Sequence, residues 1–238
     1  MESIGELYAE GRRRISEIAA GLDAAAVDRP VPACSGWTAH DVVAHLAGIC
    51  TDTLAGQLDG VTTAAWADGH VRDRRDRTMN ELLEEWSLAA PGLENAPDRF
   101  PEPLGTVWVL DLTAHEHDFR GAVDRPGARD APAVRLAIEF LLWIGIHPML
   151  VGHGLEALSI RTPCASWVVG ASTDVGHGRP EVDRVPTLAC PTFELFRALT
   201  GRRSRAQIAR FDWSSDPEPF LPAFEFGTFT TRTTDLHE

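Results

Sequence analysis

Thr38-Ala39-His40-Asp41-Val42-Val43-Ala44-His45-Leu46-Ala47-Gly48-Ile49 decides the fold. Thr38 followed three positions later by Asp41 has the spacing of a capping box, in which each side chain accepts a hydrogen bond from the other's backbone, so a helix starts here. Val42, Leu46, Ile49 and Leu54 then recur at three- to five-residue steps and mark the buried stripe of an amphipathic helix. His45 lies inside that stripe, which turns its imidazole toward a core.

The same periodicity extends on both sides. Ile4, Leu7, Tyr8, Ile15 and Ile18 predict a first helix over 4–22. Pro30 and Pro32 separate it from the second. A polar stretch from Asp68 to Arg77 reads as a connection, and Thr78 to Ala90 as a third helix ending at Pro91-Gly92. Prolines at 97, 101 and 103 precede a fourth helix over about 105–123, in which Trp108, Asp111, Leu112, His115, Phe119 and Ala122 share a face. Four such helices make a bundle. A turn-rich segment, Asp124 to Asp130, puts a domain boundary near residue 130, giving a helical domain over 1–130 and a smaller α/β domain over 131–238, an α+β chain. In the second domain Pro132 to Met149 reads as a helix. Ala157–Arg161, Ser166–Val169, Val182–Leu188 and Phe224–Phe229 read as strands, and Phe193–Thr200 and Ser204–Ala209 as helices.

Composition narrows the function. The 238 residues carry 35 acidic and 22 basic side chains, every cation an arginine, for a formal charge of −13. Such a field repels phosphate backbones and anionic lipid, so neither nucleic acid nor a membrane is expected as partner. The longest apolar stretch, around Ile138 to Val151, is interrupted by Gly145, His147 and Pro148, and no transmembrane span is expected. The four cysteines have no CxxC spacing and no apolar leader opens the chain, which points to a reducing cytoplasm. The arginine- and alanine-rich background points to a bacterial source.

Chemistry begins with polar residues on apolar faces. Asp111 and His115 stand four apart on a face shared with Trp108, Leu112 and Phe119. A carboxylate buried there without a partner costs several kcal/mol or must become neutral. A divalent metal held by His45, Asp111 and His115 supplies that partner, and three protein ligands leave a coordination position open. The alternative is hydrogen-bonded polar core, with His45 satisfied by a neighbour and Asp111 paired to His115 along the helix.

The stretch from Cys34 to Gly48 resembles the start of the second helix in the mycothiol-dependent maleylpyruvate isomerase family, part of the DinB-like metal-binding four-helix bundles. Asp111 to Ala122 is similar to that family's fourth helix, and Phe193 to Ser204, with Gln207 and Trp213, to its C-terminal domain. The resemblance implies His45, Asp111 and His115 as ligands of a zinc-type ion, with Asp118 beside them and Glu116 facing outward. Asp111 stands where the family enzyme has glutamate. The resemblance further implies mycothiol as thiol cofactor and a small electrophilic or anionic substrate, in an isomerase or thiol S-transferase. It also implies an essential arginine, for which Arg202 and Arg203 are the candidates, since a guanidinium fork suits a carboxylate. A DinB-like metal-dependent hydrolase and a non-enzymatic metal- or thiol-binding regulatory protein remain alternatives. Oligomeric state is not legible. Cys34 is read either as a packed small hydrophobe or as a group at the metal's edge.

Overall fold

The computed structural model describes residues 2–95, 103–170 and 185–238. The chain divides into two compact units, Met1–Ala128 with Glu238, and Arg129–His237. The fold class is α+β.

The first unit is helical: α1 (Ile4–Ala19), α2 (Ala24–Val27), α3 (Ala39–Ala55), α4 (Ala64–Arg74), α5 (Met79–Ala89), α6 (Pro91–Glu94) and α7 (Leu104–Ala122). The long helices α1, α3, α5 and α7 are the four expected from periodicity. The first ends at Ala19 rather than Leu22, and its continuation is the separate turn α2, begun by Asp23. Capping boxes start three of the four: Ser3 with Glu6, Thr38 with Asp41 and Thr78 with Glu81. Each satisfies backbone N–H groups that a helix start otherwise leaves without partners. In the bundle α3 packs on α5, α4 and α7, and α1 packs on α7. Leu46, Leu82, Leu112 and Phe119 are fully buried there, each worth about 1.5–3 kcal/mol of burial. Trp86 is also fully buried and donates its indole N–H to the Tyr8 hydroxyl at 3.1 Å.

Two sequence expectations change. Asp68 to Arg77 is not mainly a connection: α4 occupies most of it, capped by Thr63, whose hydroxyl accepts from the Trp66 amide. Glu116 does not face outward. It is 1% exposed and clamped by Arg14, with Nε and Nη2 at 2.8 and 2.6 Å, and by Arg120 Nε at 2.9 Å.

The second unit has helices α8 (Pro132–Leu141), α9 (His147–Gly152), α10 (Thr192–Leu199) and α11 (Arg205–Ala209). Its four-stranded mixed sheet has the order β2-β1-β3-β4, from β1 (Leu158–Thr162), β2 (Ala165–Val169), β3 (Thr187–Ala189) and β4 (Asp212–Trp213). β1 runs antiparallel to β2, with Ile160 opposite Trp167, and parallel to β3, with Ile160 opposite Leu188. Leu158, Ile160 and Leu188 carry the sheet's core face. The strand expected over Phe224–Phe229 is absent. A 3-10 turn, Leu221–Phe224, leads to a single bridge between Phe226 and Phe229. Residues 182–184 of the expected Val182–Leu188 strand lie outside the described residues.

A π turn, Leu142–Ile146, joins α8 to α9 and makes Pro132–Gly152 one continuous helix, long and apolar enough by length and composition to cross a membrane. Ile138, Leu142, Ile146 and Leu150 are buried in the unit's core. The π turn lies just ahead of Pro148, which brings no N–H to the helical ladder and crowds the carbonyl four residues back. Gly145 is required there by close approach, because a Cβ would stand 2.2 Å from the Phe226 ring.

The Arg14–Glu116–Arg120 clamp ties α1 to α7. Arg14→Ala leaves a buried carboxylate with half its partners, and we expect it to cost about 3 kcal/mol in urea unfolding. An unchanged midpoint would mean that the clamp is energetically idle.

Candidate metal centre

α3 and α7 bring His45, Asp111 and His115 together. His45 sits on the stripe of α3 that faces the bundle and is 3% exposed. Asp111 and His115 are one turn apart on α7. His45 Nε2 lies 3.4 Å from Asp111 Oδ2, and His115 Nε2 lies 3.7 Å from Asp111 Oδ1, so each carboxylate oxygen faces a different imidazole. One ligand atom from each residue falls within 4.8 Å of the others. Trp37, just ahead of α3, covers both rings, tilted over His45 at 5.0 Å and stacked on His115 at 5.6 Å.

The far side of His115 meets a second carboxylate. Asp118 Oδ2 lies 3.2 Å from His115 Nδ1 and accepts from the Cys34 thiol at 3.2 Å. Cys34 Sγ is 3.8 Å from the same Nδ1. Cys34, His115 and Asp118 thus make a second close group of possible donors. A histidine nitrogen that donates to Asp118 cannot also give a lone pair to a metal. The two groups therefore divide the ring: Nδ1 is held and Nε2 faces Asp111 and His45.

Burial pulls the His115 imidazole down. The charge of Asp111, the hydrogen bond to Asp118 and the Cys34 contact outweigh it and push the ring up to about 10. His45 is moved the other way, lowered by burial against the opposing pull of Asp111. A proton shared among these groups and a divalent cation are thus alternative ways of satisfying Asp111. Two imidazole nitrogens and a carboxylate fit a zinc-type ion with an open position, so the donor set passes the chemical test for the metal.

One neighbour has no counterpart in the sequence reading. His70, on α4 and 2% exposed, places Nδ1 at 3.1 Å from His45 Nδ1 and Nε2 at 3.0 Å from Asp52 Oδ2. Burial, then the neighbouring His45, lowers its pKa to about 4. Its signals were the Trp66–His70 pair at helical spacing and Gly48 one turn beyond His45. His117 is buried as well, at 4% exposure.

Arg202 and Arg203 belong to the second unit. Arg203, 2% exposed, is held by Glu194 through Nε at 2.6 Å and Nη2 at 2.9 Å, and Arg202 Nη1 donates to the Thr200 carbonyl at 2.6 Å. Arg205 pairs with Glu218 and Arg210 with Asp235, so these cations are engaged within their own unit. His147 accepts from the Gly170 amide.

A helical bundle in which two buried histidines and a partly exposed aspartate converge as possible ligands is followed by an α/β unit. Residues 8–125 match the family described as "Mycothiol maleylpyruvate isomerase N-terminal domain", and through them the chain belongs to that family. Two solved structures share the fold over nearly the whole length. One is a mycothiol-dependent maleylpyruvate isomerase, 13% identical with a TM-score of 0.56, and the other is a histidine-to-alanine mutant of such an enzyme, 12% identical with a TM-score of 0.55. Each alignment covers 90% of this chain and 92% of the other. No curated protein matches the sequence.

Because His115 holds its proton up to about 10, metal must displace that proton at neutral pH. The competition weakens only as pH rises toward that value. We expect metal affinity to climb with pH across the neutral range and uptake to release roughly one proton per ion. Calorimetric titration in buffers of different ionisation enthalpy reads this directly. Uptake with no proton release would remove His115 from the ligand set.

Proposed function

We propose that this chain is a metal- and mycothiol-dependent enzyme, an isomerase or a thiol S-transferase acting on a small electrophilic or anionic substrate. The observation that carries the reading is the convergence of His45, Asp111 and His115 inside a domain of the mycothiol maleylpyruvate isomerase family. A zinc-type ion at these residues supplies an open Lewis-acid position where a thiol loses its proton at neutral pH.

The chain's own residues prepare that position. Asp118 holds Nδ1 of His115 so that Nε2 turns inward, and Trp37 shields the two imidazoles from water on one side. Burial of His45 disfavours its charged form, which keeps a lone pair available for a ligand role. Arg202 and Arg203 are the candidates for the anion-binding role; the Arg203 fork is closed on Glu194 and Arg202 donates to the Thr200 carbonyl. The four cysteines are free thiols, consistent with a cytoplasmic setting.

An isomerase returns the thiol unchanged, whereas an S-transferase consumes it, so thiol stoichiometry during turnover separates the two. Elemental analysis beside His45→Ala comes first, followed by turnover of small electrophiles with and without mycothiol. We expect stoichiometric metal lost in His45→Ala, retained in Asp111→Glu and lost in Asp111→Ala, with turnover that requires the thiol. Turnover without thiol would make the protein a hydrolase, and metal and thiol binding without any turnover would make it a binding protein. Metal retained in full by His45→Ala would overturn the site.

A further inference from the structure

We propose that His70 and Asp52 are positioning residues for the metal centre: they fix His45 as the tautomer protonated on Nδ1, so that Nε2 presents a lone pair toward Asp111. The inference rests on the metal-site reading above and extends it to two residues outside the ligand set.

The argument runs from the outer end inward. Asp52 lies on α3, seven residues beyond His45, with its side chain 25% exposed where it helps line a cavity of about 400 Å³ with Gln57, Thr63 and Trp66. A carboxylate open to water only accepts hydrogen bonds. Its partner at 3.0 Å, His70 Nε2, therefore carries the hydrogen. His70 is itself buried, and with the hydrogen on Nε2 given to Asp52 the neutral ring keeps its lone pair on Nδ1. His70 Nδ1 is then an acceptor. Across 3.1 Å it faces His45 Nδ1, and since two lone pairs cannot share that gap, His45 Nδ1 donates. A neutral imidazole protonated on Nδ1 has its lone pair on Nε2, 3.4 Å from Asp111 Oδ2, and two acceptors that face each other across that gap leave it to a cation.

The packing shows that this ring has a built seat. A Cβ on Gly48 would stand 2.5 Å from His70 Cγ and 2.6 Å from its Cβ, so α3 carries a glycine mid-helix where the imidazole lies against it. That glycine costs helix propensity relative to alanine. Trp66, one turn earlier on α4, closes the seat edge-on at 4.2 Å from the His70 ring. Arg74 pins the end of α4 through Glu85 at 2.6 Å and Thr51 at 2.8 Å. The relay Asp52–His70–His45 does for one ligand what Asp118 does for the other.

Two readouts test the relay. Long-range proton–nitrogen correlation spectra of the metal-free protein report the tautomer of His45, and chelator competition reports the zinc dissociation constant. We expect the wild type to show His45 protonated on Nδ1. His70→Leu, which keeps bulk but removes the acceptor, should lose that preference and bind zinc roughly 10- to 100-fold more weakly. His70→Asn, whose carbonyl oxygen can stand in for Nδ1, should recover most of the affinity. Asp52→Ala, at the partly exposed end where folding is not at risk, should weaken zinc in the direction of His70→Leu. His45 protonated on Nε2 in the wild type, or His70→Asn no better than His70→Leu, would overturn the relay while leaving the ligand set intact. Wild-type protein that takes up no zinc would instead bring down the metal site, and the relay's role with it.

Discussion

Two imidazoles and a carboxylate aimed at one point inside a helical bundle are a constraint that the surrounding structure must answer. Each of the three can present an electron pair to that point, and acceptors that face one another in a low-dielectric interior repel. Without a metal, a proton on His115 relieves the conflict, which is why that ring is pushed up to about 10 despite its burial. With a divalent cation, the same convergence becomes a ligand set. The residues around the centre serve both states: Asp118 steadies the ring from the far side, Cys34 donates to Asp118, and Trp37 limits the water that would otherwise dilute the interaction.

The constraint propagates along α7. Ala114, His115, Glu116, His117 and Asp118 are buried in succession, so this stretch has no solvent face on which to place its polar groups. Partners have to arrive from several directions. His115 and Asp118 look to α3 and the segment before it, while Glu116 looks to α1 and is met by Arg14. The rotation of α7 about its axis is thereby fixed by charge as well as by packing. A slip by one residue would bring Glu116 toward His45 and leave Arg14 without its carboxylate.

How much of this the sequence discloses follows from what periodicity can see. His45, Asp111 and His115 were legible because each interrupts an apolar stripe strong enough to define its helix, and the capping box at Thr38 set the register. His70 was not, because α4 carries no apolar stripe and buries chiefly one ring. Nothing in a hydrophobic pattern separates such a helix from a polar connection. Glu116 was misread for a related reason: its burial depends on a guanidinium from α1, about a hundred positions earlier, and long-range pairing leaves no local trace. At the other end of the chain, Phe224 to Phe229 alternates as a strand does, yet within the described residues the backbone there makes a single bridge and no ladder.

The distribution of chemistry along the chain bears on how such a protein changes its reaction. Every group described around the metal centre, from Cys34 to Asp118, lies within the 8–125 match, whereas the arginines of the second unit are engaged with that unit's own carboxylates and carbonyls. On the proposed reading, metal affinity and substrate recognition would be separable, the first set by bundle residues and the second open to change elsewhere. Asp111 shows how the first can also be tuned. Aspartate is shorter than glutamate by one methylene, which holds its carboxylate oxygens about 1.5 Å closer to α7 than a glutamate would. At that reach the two oxygens divide between His45 and His115. An ion held by His45, Asp111 and His115 would then be placed by α7 and by whatever holds His45 in its tautomer.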